Sequence, residues 1–183
     1  MRNVILKNLL FPIALALILL APFAAQAKKP KTSATQSIQN KTCGYYLRYP
    51  KGSTLDRPGD CVLRITRPKA KEAWVNEQTL TLYTAPLDQK DLGEPPAGEV
   101  QPDGFLMIGR MKLTKSMAMD AAMSHRMVTI VYEGQYGKRK YRLEGFMNSA
   151  VPEVMDLHPK HWDPVKTAEK LFDGLVSTFR PFQ

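Results

Sequence analysis

Residues 163–179 read DPVKTAEKLFDGLVSTF, and this stretch decides the fold because it predicts an amphipathic helix near the end of the chain. Asp163 supplies the side-chain oxygen that an N-cap needs, and Pro164 suits the first helical position, where no amide donor is missed. Apolar residues recur at helical spacing along one side: Val165, Ala168, Leu171, Phe172, Leu175, Val176 and Phe179. A helix with one apolar side has to bury it, so we expect this helix to lie on a sheet.

The residues before this helix supply strands for such a sheet. Alternating or β-branched runs predict strands at 44–49, 61–66, 79–84, 105–113, 127–132 and 138–147, the fourth of them running across Gly109. Residues 50–52 and 133–137 predict turns, so residues 127–147 form a predicted hairpin. Together these runs indicate an antiparallel sheet of roughly five to seven strands.

The remaining segments predict short helices and connections. Residues 68–77 and 116–124 are interpreted as short helices, and residues 148–162 as an irregular crossover into the last helix. Residues 88–104 lack periodicity and predict a long loop, with room to fold back on the basic segments. The fold class is therefore α+β: an antiparallel β-sheet covered by a C-terminal amphipathic helix and a shorter helix.

The N-terminus predicts a signal peptide over residues 1–27. Arg2 and Lys7 form a positive region, residues 9–20 are apolar, and Ala25-Gln26-Ala27 is a cleavage motif. The alternative is an uncleaved anchor, since an uncharged run of about 17 residues is at the short limit for spanning a bilayer. Cleavage leaves no transmembrane segment and indicates a periplasmic or secreted protein.

The mature chain then has two parts. Residues 28–42 are polar and basic and predict a flexible N-terminal segment. Residues 43–183 predict a single α+β domain, which has enough aromatic and aliphatic residues for a core.

The chain is basic, with a formal net charge of +9 that falls to +7 when Arg2 and Lys7 are removed with the signal peptide. An exported protein meets little nucleic acid, so we expect no nucleic-acid partner. The excess charge suits an anionic envelope surface or an acidic protein partner, and it permits peripheral contact with a membrane. The alternative is a solvated basic surface without a dedicated partner.

Cys43 and Cys61 are the only cysteines. In an exported protein they predict one disulfide, worth roughly 3 kcal/mol on the chain-entropy model. A thiol metal site or redox pair is the alternative, but neither a CxxC spacing nor further cysteines support it.

The sequence lacks the common catalytic motifs. It contains no G-x-S-x-G, no H-E-x-x-H and no phosphate-binding glycine loop. With both cysteines expected in a disulfide and only three histidines, the usual nucleophile–base pairs are hard to assemble. We therefore expect a protein that is not an enzyme and that needs no cofactor.

Two metal sites are conceivable. On a helix Met119, Met123 and Met127 would stack at i, i+4 and i+8, and thioethers suit Cu(I), although such a stripe is more often core. His158 and His161 lie near two aspartates and are candidate Zn²⁺ or Ni²⁺ ligands; the alternative is a solvated polar loop.

The best candidate for binding is the basic strand of the predicted hairpin. Alternation places Lys138, Lys140 and Arg142 on one face, where three cations in a row can meet an anionic partner. The alternative is a charged edge that prevents aggregation.

Two phrases at the ends of the domain resemble a known family. Residues 44–52, GYYLRYPKG, resemble the opening strand and Tyr-Pro-x-Gly turn of the PsbP-like family and its DcrB-type bacterial envelope relatives. Residues 171–180, LFDGLVSTFR, resemble the closing helix of that family. The resemblance implies an α/β/α sandwich around an antiparallel sheet and a non-enzymatic, partner-binding role, and it carries no catalytic residues.

These observations lead to one functional prediction and one alternative. We expect an exported, non-enzymatic binding or assembly factor of the cell envelope, with Lys138, Lys140 and Arg142 facing an anionic surface or a protein partner. The alternative is a periplasmic copper-binding protein that uses the methionine cluster.

Overall fold

The computed structural model describes residues 34–68, 75–90, 92–93, 96, 98–122, 125–150 and 163–183. The predicted signal peptide, Met123, His158 and His161 lie outside these residues. Within the described part of the chain, no helix is both long and apolar enough to cross a bilayer.

Ten strands and one helix make up the described part. In chain order they are β1 Thr35–Asn40, β2 Tyr45–Pro50, β3 Thr54–Gly59, β4 Val62–Thr66, β5 Val75–Pro86, β6 Glu99–Ile108, β7 Met111–Ala122, β8 His125–Tyr136, β9 Arg139–Ala150, α1 Pro164–Val176 and β10 Arg180–Pro181. One sheet has the order β1-β2-β10 and the other the order β3-β4-β5-β9-β8-β7-β6. All strand pairs are antiparallel, which confirms the predicted antiparallel sheet and its C-terminal helix.

The helix α1 packs on strands β8 and β9 at the centre of the larger sheet. Phe172 is fully buried and its ring lies directly on Gly145 of β9, where any side chain would collide with it. The strands turn alternate apolar residues toward the helix: Leu80, Leu82, Val128, Ile130, Tyr132, Leu143 and Met147. The period-2 pattern of the strands and the helical stripe thus meet in one core.

The helix begins as its sequence predicts. Asp163 Oδ1 accepts hydrogen bonds from the amides of Val165 at 2.9 Å and Lys166 at 3.1 Å, so it is the N-cap. The helix ends at Val176, earlier than the apolar stripe. Phe179 follows the helix end and is still buried, with its ring edge-on to the ring of Tyr141 at 5.3 Å between centroids.

The disulfide predicted between Cys43 and Cys61 is confirmed. The two Cα atoms lie 5.3 Å apart, and Cys43 is buried in the core at the start of β2. Cys61 lies in the turn between β3 and β4. The bond therefore joins the small sheet to the large one.

The predicted helix at 116–124 is wrong over residues 116–122, which belong to strand β7. This strand pairs with β8 from Leu113 opposite Gly134 to Ala122 opposite His125. Methionine and alanine favour helices locally, but long-range pairing decides the conformation here. The described part therefore has a single helix, and the expected sandwich with two helices is only partly matched.

Other boundaries also differ from the prediction. The strand predicted across Gly109 is a hairpin of β6 and β7 that turns at Gly109 and Arg110, and residues 99–104 of the predicted loop belong to β6. The predicted turn at 133–137 is shorter, because β8 continues to Tyr136.

Three short strands were not predicted. They are β1, β3 and β10. Strand β1 lies inside the segment expected to be flexible and packs Ile38 against the core. These strands are polar or too short to show alternation, so only their pairing identifies them.

A buried ammonium ties the helix to the large sheet. Lys115 Nζ of β7 lies 2.7 Å from Glu169 Oε1, 2.8 Å from Asp103 Oδ2 and 3.5 Å from Asp173 Oδ2. The Tyr132 hydroxyl donates to Asp173 Oδ1 at 2.5 Å. Burial disfavours the charged ammonium, but the hydrogen bonds to Asp103 and Glu169 outweigh it and raise the pKa of Lys115. Its contribution to stability is therefore fully present below the ordinary lysine pKa and is lost as the pH rises through the raised value.

Replacing Lys115 with methionine is expected to lower the free energy of unfolding by about 2 kcal/mol at neutral pH. The change leaves three carboxylates facing one another; they are about one-third exposed, so the loss stays below that for a fully buried pair. Urea denaturation measures it. The control is Lys166→Met, which removes an exposed ion pair and should cost less than about 0.5 kcal/mol. Equal losses for the two variants would contradict this role of Lys115.

Candidate binding site

The candidate site lies on the face of the large sheet that points away from α1, here called the far face. Lys115 and Tyr132 point toward the helix, so their neighbours Thr114 and Glu133 point away from it. Thr114 and Glu133 are directly paired across β7 and β8. By the same register Gln135 of β8 and Lys140 of β9 share the far face.

A groove of about 490 Å³ opens on the far face and is called the basic groove. Its lining residues are Lys90, Leu92, Lys112, Thr114, Glu133, Gly134, Gln135, Lys140 and Tyr141. The three lysines come from three different parts of the chain: the segment after β5, strand β7 and strand β9. Among the described residues of the lining Glu133 is the one carboxylate, so positive charge is in excess among them.

The walls of the basic groove are held by contacts to the segment after β5. Lys140 Nζ donates to the backbone oxygen of Gln89 at 2.9 Å. Gly93 lies so close to the Tyr83 ring that an added Cβ would be 2.9 Å from it. This part of the predicted 88–104 loop therefore folds back on the basic strand, and it does so through its backbone.

Lys112 is positioned by an aromatic ring. Its Nζ lies 4.5 Å from the centroid of the Phe105 ring, which places the charge over the ring face. Within the described residues, Lys90, Lys112 and Lys140 form no ion pair with a carboxylate. The arrangement offers three ammonium donors to an anionic group from outside the domain.

The structure separates the three residues predicted for binding. Lys138 is exposed in the turn before β9, and Lys140 lines the basic groove. Arg142 is 7% exposed, with Nη2 donating to Glu144 Oε2 at 2.9 Å and Nη1 3.8 Å from Glu133 Oε1. The expected exposed row of three cations is therefore wrong at Arg142, because this side chain is buried beside the carboxylates of Glu144 and Glu133.

The basic groove also contains residues that the sequence did not indicate. Lys90 and Lys112 are far apart in the chain and lie in no charge run. Only the order of the strands and the path of the segment after β5 bring them to Lys140.

The described methionines do not form the predicted stack. Met119 and Asp120 are neighbours in β7, and Asp120 is paired with Met127 of β8. Met119 and Met127 therefore point to opposite faces of the sheet. No group of three metal-ligating His, Cys, Asp or Glu residues occurs where side chains are described. Copper binding stays a prediction, as do Met123, His158 and His161 as metal ligands.

An exposed apolar strip borders the basic groove and is called the apolar rim. It consists of Phe105 and Met107 on β6, which are 60% and 51% exposed. They are paired with Thr114 and Lys112, so they share the far face. Strand β6 is an edge of the large sheet.

Comparisons with known proteins show a likeness of fold. No family model matches the sequence, and no curated protein matches it. A protein from Bacteroides thetaiotaomicron VPI-5482 is similar with a TM-score of 0.51 and 9% identity, over 81% of this chain and 48% of that one. The chain thus spans about half the length of that protein.

Two further solved structures are similar over most of their length. The Saccharomyces cerevisiae Ran-binding protein Mog1p has a TM-score of 0.50 and 10% identity, over 82% of this chain and 96% of that one. Cyanobacterial PsbP (CyanoP) from Synechocystis sp. PCC 6803 has a TM-score of 0.45 and 13% identity, over 82% and 94%. At these identities the likeness concerns the fold alone. Membership of the PsbP-like family and kinship with DcrB-type proteins stay predictions.

Proposed function

We propose that the protein is an exported, non-enzymatic binding or assembly factor of the cell envelope, and that its basic groove holds an acidic segment of a partner protein. The observation that carries the proposal is the convergence of Lys90, Lys112 and Lys140 on one groove. Converging ammonium groups repel one another unless an anionic partner lies between them. Membership of the PsbP-like family, with its α/β/α sandwich, belongs to the same proposal.

Export is supported by two independent features. The first 27 residues have the sequence pattern of a signal peptide. The disulfide between Cys43 and Cys61 is of a kind that persists in oxidising compartments and is rare in the cytosol. A periplasmic or secreted location accounts for both.

The shape of the site favours a protein segment over a flat membrane surface. The lysines line a concave groove, which a narrow acidic chain enters more easily than a bilayer does. The neighbouring rim offers Phe105 and Met107 to apolar side chains of the same segment. Strand β6 is an edge, and edge strands are places where extended partner segments add to a sheet.

The test uses a fluorescein-labelled hexaglutamate peptide and fluorescence anisotropy. The double variant Lys90→Gln, Lys112→Gln is expected to weaken binding by about tenfold, since both lysines are exposed and an exposed ion pair contributes about 0.2–1 kcal/mol. Binding by the unchanged protein should also fall as salt is added. Neither side chain makes a hydrogen bond to another described residue, so the variant is expected to fold.

The control is the double variant Lys138→Gln, Lys170→Gln, which loses the same charge at exposed positions outside the basic groove. It should change the affinity by less than about twofold. Equal weakening by both double variants would show that general charge, rather than the groove, attracts the peptide. Tighter binding to anionic phospholipid vesicles that the variant Lys90→Gln, Lys112→Gln leaves unchanged would contradict the proposal. The partner would then be a membrane surface, and residues outside the basic groove would bind it.

A further inference from the structure

The small sheet has an exposed face that carries two arginines. Tyr45, Leu47 and Tyr49 of β2 are buried, so the alternate residues Tyr46 and Arg48 point outward. Arg180 of β10 is paired with Tyr46, and its side chain therefore lies on the same outer face.

These residues border a second groove, here called the arginine pocket, of about 460 Å³. Its lining residues are Tyr46, Arg48, Ser177, Thr178 and Arg180. It lies where the residues after α1 meet β2, and the contact is fixed by Thr178 Oγ1, which accepts a hydrogen bond from the Arg48 amide at 3.1 Å. The two phrases at the ends of the domain thus meet in one pocket.

Both guanidinium groups are held in place by neutral partners. Arg48 Nε donates to the Tyr46 hydroxyl at 2.9 Å. Arg180 Nη1 donates to the backbone oxygens of Ser177 at 2.7 Å and Phe179 at 2.6 Å. Neither arginine forms an ion pair with a carboxylate among the described residues. Arg48 Nη1 and Nη2 and Arg180 Nε and Nη2 are left to donate to a ligand.

The Tyr46 hydroxyl reports the electrostatics of the pocket. Its pKa is lowered, first by the hydrogen bond from Arg48 and then by one with the Ser37 side chain, with smaller contributions from the charges of Arg48 and Arg180. Both arginines therefore act on the same point in space. An anion at that point would gain from both charges.

We propose that the arginine pocket binds a phosphate group. Two guanidinium forks and one hydroxyl approach from different directions, which suits a tetrahedral group with oxygens on several sides better than a planar carboxylate. The phosphate is either a free ion or part of a larger ligand, such as a phospholipid headgroup. The pocket lies on the small sheet and shares no residue with the basic groove, so it stands apart from the proposed function.

The first test is a titration of the disulfide-bonded protein with inorganic phosphate, followed by NMR of the tyrosine rings and arginine side chains. Saturable shifts at Tyr46, Arg48 and Arg180 are expected, and bound phosphate should raise the pKa of Tyr46 because a nearby anion disfavours the phenolate. No saturation at these residues, with either inorganic phosphate or vesicles that contain phosphatidic acid, would overturn the proposal. Equally tight binding of acetate would overturn the choice of phosphate.

Variants then assign the site. Arg48→Gln is expected to weaken phosphate binding about tenfold or more, since each charged hydrogen bond contributes about 1.5–3 kcal/mol. Arg180→Lys keeps the charge but loses the planar set of guanidinium donors, so it should also weaken phosphate binding. The matched control is Arg64→Gln, an exposed arginine of β4 in the other sheet, which should leave binding unchanged. If Arg64→Gln weakened phosphate binding as much as Arg48→Gln does, the net charge of the protein and not the arginine pocket would explain the effect.

Two arms separate the possible sources of the phosphate. Vesicles of phosphatidylcholine with phosphatidic acid are compared with free phosphate at matched phosphate concentration. If the protein binds the vesicles, Arg48→Gln abolishes that binding and free phosphate binds weakly, the ligand of the pocket is a lipid headgroup. Binding of free phosphate with no retention on vesicles assigns it to a soluble ligand.

Discussion

Replacing Phe172 with alanine is expected to lower the free energy of unfolding by about 3–5 kcal/mol, the range for a large buried aromatic side chain. Phe172 has no exposed surface and its ring lies on the backbone of Gly145, at the point where α1 meets β9. In the variant the space above Gly145 is empty, because glycine has no side chain that could fill it. The substitution therefore leaves a cavity. Urea denaturation followed by circular dichroism gives the difference.

Two controls make this result specific. Leu171 directly precedes Phe172 in the helix and is only half-buried, so Leu171→Ala should cost clearly less. Gly145→Ala places a methyl group into the Phe172 ring and should cost about 1–3 kcal/mol by itself. In the Phe172→Ala background the same methyl group has space, so the two losses should not add. Additive losses, or equal losses for Phe172→Ala and Leu171→Ala, would contradict the contact.

Removing the disulfide by the double change Cys43→Ala, Cys61→Ala is expected to lower the free energy of unfolding by about 3 kcal/mol. The bond closes a loop with a sequence separation of 18 and restricts the unfolded chain accordingly. It also joins the small sheet to the large one, so the two sheets should lose part of their cooperativity. Denaturation curves of the variant and of the unchanged protein in its oxidised state measure the difference.

Reductant provides the control for this prediction. It should destabilise the unchanged protein by a similar amount and leave the double alanine variant unaffected. The described residues include no free cysteine, so no other thiol contributes. A reductant effect that persists in the variant, or a loss below about 1 kcal/mol, would show that the bond constrains little.

Features that depend on local chemistry were predicted correctly. The N-cap at Asp163, the start of the helix and its buried stripe follow from spacing along a single element. The disulfide follows from having two cysteines in a chain that is predicted to be exported. The antiparallel sheet follows from alternating runs, although the strands extend further than those runs.

Features that depend on long-range pairing were not predicted correctly. Residues 116–122 contain methionine and alanine, which favour a helix, yet hydrogen bonds to β6 and β8 on either side make them a strand. Gly109 lies within a run of alternate apolar residues, so the turn there is hidden in the pattern. Strand β10 has only two residues and shows no pattern at all.

The candidate site was predicted only in part, because its residues also come together through long-range pairing. Alternation correctly places Lys140 and Arg142 on one face of β9, but alternation gives the face and not what covers it. Arg142 is covered and paired with Glu144, whereas Lys140 borders the basic groove. The other two lysines of the groove come from elements whose position depends on strand order. The arginine pocket likewise joins residues from opposite ends of the domain.

The pairing of β2 with β10 joins two segments that are synthesised far apart in time. Cys43 and Cys61 leave the ribosome early, and β2 can then pair with β1, whereas the codon for Arg180 is translated later. A polypeptide that stalls before that codon can oxidise its thiols yet lacks the last partner of Tyr46. Because β2 of such a copy is paired with β1 on one side alone, its other edge keeps exposed backbone hydrogen-bonding groups that β10 would otherwise pair.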